Sequence, residues 1–115
     1  MATRSFICKL LPDNSVTGVY CHYDGYPDGV GATLKEHYTD PKTVDGLLAL
    51  GSISELNENL TETVAYHRDR GEDLAPNTDY PSIIDAVSDA HYDLGAEYVY
   101  VYAPGDGWAV FETKA

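Results

Sequence analysis

The sequence predicts an α+β fold: an antiparallel sheet of four to five strands, built as two hairpins, with about three helices packed on one face. Three observations carry this expectation. Arg4–Leu10 and Val16–Tyr23 alternate apolar and polar residues around the turn cluster Pro12-Asp13-Asn14-Ser15. Glu97–Ala103 and Trp108–Thr113 do the same around Pro104-Gly105-Asp106-Gly107. Between these hairpins, apolar residues recur at helical spacing. With 115 residues and no internal repeat or linker, the chain reads as one domain, residues 1–115.

In the first hairpin, Phe6, Cys8 and Leu10 share one face, which Val19 and Cys21 continue. A turn centred on Asp13-Asn14 sets Phe6 against Cys21 and Cys8 against Val19. The cysteines are then diagonal neighbours, a poor disulfide geometry, and both are expected as buried free thiols. A first helix is expected over Gly29–Tyr38, with Val30 and Leu34 in its apolar stripe. Asp40-Pro41 starts a second, with Val44, Leu47 and Leu48 buried and Gly51 as its stop. Ser52–Asn59 reads as a turn and Thr61–Tyr66 as a short strand. Arg68-Asp69-Arg70-Gly71-Glu72-Asp73 reads as an exposed polar stretch, either self-paired or in contact with a partner. Ala75–Asp79 has loop composition. A third helix is expected from Pro81 to Leu94, capped by Asp79 or Tyr80.

Nineteen acidic residues face seven basic ones, a formal net charge of −12. That balance argues against direct binding of nucleic acid or an anionic membrane, both of which call for a basic patch. It suits solubility, a basic protein partner or a cation. No apolar run approaches a membrane span and the first residues lack a signal-peptide core, so a cytoplasmic location is expected. Tyr occurs ten times and Phe twice, giving aromatic surface with polar tips.

His-x-Asp occurs three times, as His22-Tyr23-Asp24, His67-Arg68-Asp69 and His91-Tyr92-Asp93. On a strand, His22 and Asp24 share a face and could jointly hold a divalent metal. On a helix, His91 and Asp93 point apart. No ligand count or spacing matches a known metal signature, and no metal or cofactor is expected. Cys21 beside His22 is an unpromising nucleophile, since neighbouring strand residues face opposite ways. Gly25, Gly29 and Gly31 follow a strand and open a helix without the order of a phosphate-binding loop. Asp24-Gly25-Tyr26-Pro27 therefore reads as a tight structural turn, with Asp24 expected to cap backbone amides.

In the third helix, Ile83, Ile84, Val87, His91 and Leu94 form the expected core side. Asp85, Asp89 and Asp93 recur at i, i+4 and i+8, a spacing at which like charges destabilise a helix by about 0.2–0.5 kcal/mol per pair. From Glu72 to Glu112 there are nine acids and no Lys or Arg. Four helical residues rise about 6 Å, close to the separation of successive backbone phosphates. The three aspartates, flanked by Tyr92 and extended by Glu97 or Asp106, are thus a candidate nucleic-acid-mimicking surface for a basic partner. An ordinary solvated face is the competing reading.

The run Tyr20-Cys21-His22-Tyr23-Asp24-Gly25-Tyr26-Pro27-Asp28-Gly29-Val30-Gly31, with Leu34-Lys35-Glu36-His37-Tyr38 after it, resembles a family of small phage and prophage proteins. The likeness continues through Leu50–Leu56 and Tyr66–Glu72; members commonly carry Trp where this chain has Tyr23. The resemblance implies a phage or mobile-element origin and carries over no catalytic residues. The expectation is a non-enzymatic accessory protein that binds a basic surface of a host nucleic-acid-binding or defence protein, in the manner of an anti-CRISPR or anti-restriction inhibitor. The alternatives are a small metal-dependent enzyme using His22 and Asp24, or a ligand-binding module using the tyrosine-rich last hairpin.

Overall fold

The computed structural model describes residues 2–74 and 77–113. One mixed sheet joins strands β1 (Ser5–Leu10), β2 (Val16–Cys21), β3 (Ile53–Glu55), β4 (Val64–Ala65), β5 (Thr78–Tyr80), β6 (Tyr98–Ala103) and β7 (Gly107–Glu112). The strand order is β4-β3-β2-β1-β6-β7, with β5 also on β2. Among the described residues, four α-helices accompany it: α1 (Ala32–His37), α2 (Pro41–Ala49), α3 (Tyr66–Arg70) and α4 (Ile83–Tyr92). The α+β class is as expected, with more strands than expected. Both predicted hairpins form, and they meet through a parallel pairing of β1 with β6.

That parallel seam changes the layering. β1 and β6 are central, so both their faces need cover. Ile7, Val19, Cys21, Tyr100 and Tyr102 pack under α1 and α2, whereas Phe6, Cys8, Val99 and Val101 pack under α4. Helices thus cover both faces, not one. The first hairpin also differs in register from expectation: Phe6 lies opposite Tyr20 and Cys8 opposite Gly18. The loop closes one residue earlier than expected, with Leu11 N bonded to Ser15 O at 2.8 Å and Asn14 at φ 70°. A one-residue slip moves every side chain on a strand to the other face. Cys8 and Cys21 consequently sit on opposite sides of the sheet, both buried and both free.

Several segments differ from their predicted state. Ser52–Asn59, expected as a turn, contains β3, which bridges β2 at Cys21 and Ile53. The Arg68-Asp69-Arg70 stretch is helical despite lacking an apolar stripe. Asp69 accepts from the Ala65 amide at 2.8 Å, and Gly71 ends the helix at φ 69°. Thr78–Tyr80 is a strand against β2, so α4 begins two residues later than expected. Its cap is Ser82, not Asp79 or Tyr80, accepting from the Asp85 amide at 3.2 Å. Within the loop expected over Ala75–Asp79, Ala75 and Pro76 lie outside the described residues. The predicted Asp40 cap and Pro41 start of α2 are both present, the carboxylate accepting from Lys42 N at 3.2 Å.

The Asp24–Gly31 motif is the junction that locks the two halves together. Tyr100 is buried, and its hydroxyl donates to Gly25 O at 2.7 Å. A Cβ on Gly31 would come within 3.1 Å of the Tyr100 ring, so glycine there lets the ring lie against the backbone. Gly25 N donates to Thr3 O, and Val30 N to Asp24 O, each at 2.8 Å. A wide π-type turn, Pro27–Gly31, feeds α1. Asp24 contributes differently from the expected amide cap. Its backbone occupies the left-handed region at φ 57°, which Asp tolerates better than most residues. Its carboxylate accepts from the Tyr26 hydroxyl at 3.4 Å.

Two outcomes follow from this packing. Tyr100→Phe leaves the buried Gly25 carbonyl without its donor and should lower unfolding stability by about 1–3 kcal/mol in denaturant titration; an unchanged midpoint would mean the clamp contributes nothing. Burial pushes the thiols of Cys8 and Cys21 up to about 12, so neither is a ready thiolate. A thiol-specific reagent at pH 8 should label both only after unfolding, at a rate set by the opening of the fold.

Candidate functional site

α4 carries Asp85 and Asp89, and Asp93 follows at its end, so that three acidic side chains lie along one flank of the helix. The helix buries Ala86 and Ala90 at the centre of its contact, with Ile83, Val87 and Leu94 half-buried around them. Ile84, expected in the core, is 80% exposed, as is Tyr92; His91 is exposed as well. The physical reason is closeness: the alanines let the helix axis approach the sheet, which centres the contact on positions 86 and 90. At 100° per residue, Ile84 then swings out with Ser88 and Tyr92.

Asp85, Asp89 and Asp93 run along the flank of that outward face. Together with Tyr80, Pro81, Ser88 and Tyr92 they line a groove of about 380 Å³. Each aspartate has a distinct setting. Asp85 closes a capping arrangement, accepting from Ser82 Oγ at 2.9 Å while its own amide donates back to that oxygen. Asp89 is half-buried and accepts from the Tyr80 hydroxyl. Asp93 is exposed beside Asp89. The carboxyl of Asp89 is held below the usual range, first by a hydrogen bond with Asp93 and then by the one from Tyr80. Asp93 is pushed up, by the same bond and by the negative charge of Asp89. The Tyr80 hydroxyl is raised by burial and then by Asp89, so it stays a donor.

The remaining members of the predicted patch are placed apart. Glu97 is exposed just before β6, near His91 and Thr113 at the carboxyl end of α4. Asp106 is exposed in the β6–β7 turn, beyond the far end of β6 and beside Leu11, Pro12 and Asn14. Glu97 and Asp106 thus bracket β6 from opposite ends. The structure brings together Tyr80 and the three aspartates; in the sequence Tyr80 stands out only as a candidate helix cap before Pro81.

The histidine motifs are tied into local structure. His22 Nδ1 lies 2.6 Å from the Tyr20 hydroxyl, while Asp24 is engaged by Tyr26. His67 Nδ1 meets Glu72 O at 2.7 Å, and Asp69 pairs with Arg68 at 2.9 Å. Arg68 also donates to the carbonyls of Leu60, Thr61 and Thr63, fastening the loop before β4, and Arg70 lies 5.1 Å over the Tyr66 ring. Among the described residues, no three His, Cys, Asp or Glu side chains gather in a metal-binding group. The tyrosine face of the last hairpin is core rather than surface: Tyr100 and Tyr102 are buried and Tyr98 is half-buried. Tyr102 lines a recess of about 250 Å³ with Trp108, Lys35 and Thr39. Among the described residues no helix is long and apolar enough to cross a membrane.

No family model matches the chain, and no curated protein or solved structure matches it.

The paired aspartates make stability depend on pH in a defined sense. Asp93 binds its proton more tightly in the folded state than in the unfolded chain, so stability rises as pH falls through its raised pKa. Asp89 behaves oppositely: its contribution is present above the unfolded value and is lost as pH falls through its depressed pKa. Asp93→Asn should therefore melt higher than the wild type at pH 7, with the difference shrinking as pH drops toward about 4. Asp89→Asn should melt lower, because Tyr80 loses an ionised acceptor. Identical melting curves for Asp93→Asn and wild type across that range would remove the repulsion.

Proposed function

We propose that the protein acts by binding, and that the outward face of α4 docks on a basic surface of a protein that otherwise handles nucleic acid. In the setting that the phage-like motif implies, that protein is a nucleic-acid-binding or defence protein of a bacterial host. One observation carries the reading. The groove sets a row of three carboxylates beside a large, 80% exposed aromatic side chain, Tyr92. A merely solvated face favours neither feature: it mixes charge signs and places few large apolar groups in water.

The parts of the face have separate roles. Asp85 and Asp93 are exposed at its two ends and meet lysine or arginine across the interface. Asp89 is anchored by Tyr80 and holds the middle of the row in place. Tyr92 offers a flat amphipathic surface on which a guanidinium stacks. The net charge of −12 speeds encounter with a basic partner. Glu97, at the carboxyl end of the helix, lengthens the negative surface; Asp106 acts on the field as a whole rather than in the row.

The test is the triple variant Asp85→Asn, Asp89→Asn, Asp93→Asn beside Asp85→Asn, Asp93→Asn, which leaves the Tyr80 bond intact. Immobilised wild type should retain basic nucleic-acid-binding proteins from host lysate at low salt and release them to competing DNA. Both variants should lose that retention, as should wild type when salt rises from about 0.05 to 0.5 M. Equal retention by folded wild type and folded variants would overturn the reading.

A further inference from the structure

We propose that the protein pairs with a second copy of itself through β7, edge to edge and antiparallel. β7 is the last strand of the sheet. It is bonded on one side to β6, and among the described residues nothing pairs with its other side. The strand at the opposite end of the sheet, β4, has only two residues. Edge strands of monomers are normally guarded by brevity, by proline or lysine, or by a bulge. β7 has none of these. It is six residues long, Gly107-Trp108-Ala109-Val110-Phe111-Glu112, without Pro, Lys or Arg. Its register against β6 runs unbroken from Tyr98 opposite Glu112 to Ala103 opposite Gly107. Val110 and Phe111, on opposite faces of the strand, are 39% and 37% exposed.

Charge and register decide the occupant. β7 carries a single charge, Glu112, so a basic segment gains little from it, in contrast to the row on α4. The complement of a nearly neutral apolar strand is another such strand, and β7 is one. A two-fold axis through Val110 sets Val110 against Val110, Ala109 against Phe111 and Trp108 against Glu112 of the second copy. Each acid then faces an aromatic ring, and no like charges stand opposite one another. The small Ala109 leaves room for the Phe111 ring on the same face. The rest of each surface, at a net −12, repels its copy at long range.

A pair of six-residue strands alone buries less than a standard stable interface. Pairing is therefore weak, and screening by salt strengthens it. This dependence is opposite in sign to that of the α4 face, so the two associations are separable and neither rests on the other.

Sedimentation velocity of the full chain, from about 10 µM to about 1 mM protein, reads the monomer–dimer equilibrium. At about 0.5 M salt a dimer should appear in the upper part of that range, and at about 0.05 M it should weaken. Val110→Lys places two ammonium groups face to face across the two-fold axis and should raise the dissociation constant by roughly tenfold or more. The position is already partly exposed, and far-UV circular dichroism confirms that the variant is folded. As an independent readout, β7 amides should gain hydrogen-exchange protection with protein concentration in wild type and not in Val110→Lys. A wild type that stays monomeric throughout overturns the proposal, as does a dimer that folded Val110→Lys leaves unchanged.

Discussion

The buried hydroxyl of Tyr100 on the carbonyl of Gly25 is the contact on which the rest of the arrangement depends. The two residues are 75 positions apart in sequence. One belongs to the central strand of the second hairpin, the other to the turn that leads out of the first. The contact needs three things at once: a glycine at 31 so that the ring can lie close, a backbone able to turn at Asp24, and a strand order that puts β6 beside β1. A buried carbonyl without a donor is costly, so this bond also disfavours other placements of the junction. Trp108 adds a second tie of the same kind, its indole N–H donating to Tyr38 O at 2.8 Å. Tyr38 in turn donates through its hydroxyl to Asn57 O at 2.7 Å. The tyrosine richness of this chain is thereby explained in part: several rings fill the core while their hydroxyls satisfy loop carbonyls that aliphatic side chains would leave bare.

With the sheet held this way, α4 can carry a row of like charges. Its hold on the sheet comes from the opposite side, where Ala86 and Ala90 allow close approach and Ile83, Val87 and Leu94 surround them. The repulsion between Asp89 and Asp93 is partly absorbed at the row itself, where Asp93 rises in pKa, Asp89 falls, and the Tyr80 hydroxyl donates to Asp89. Tyr80 does two jobs. Its ring meets Phe6 edge-on at 5.6 Å, within the core under α4, while its hydroxyl reaches the acidic row. Core packing and surface electrostatics are joined through one side chain.

The residues that look most like chemistry in the sequence are engaged in local structure. His22, Asp24, His67 and Asp69 each have a hydrogen-bonding partner within a few positions in the chain, and each stabilises a strand end, a turn or a short helix. Arg68 is a clear case: one guanidinium fastens three loop carbonyls and its neighbouring carboxylate. Such charge-assisted bonds to backbone groups do for an irregular segment what a ladder does for a strand.

Local pattern determined the two hairpins, the Asp40-Pro41 helix start, the class of the fold and the acidic spacing on the last helix, because alternation, capping and charge repeat are properties of near neighbours. The same kind of reading missed α3, β3 and β5. The first has no apolar stripe and exists through the Asp69 cap and the Arg68 anchor; the other two are three residues long and exist through β2. It also set the first hairpin one residue out of register, because the loop conformation at Asn14 decides the pairing and turn composition alone does not. Tertiary structure decided that helices cover both faces, since the parallel seam of β1 and β6 buries both, and that Tyr100 and Tyr102 are core. It decided, too, which side of α4 meets water. Hydrophobicity favoured Ile84 for the interior, but the sheet accepts the side that fits closest, and that side is the one with the alanines.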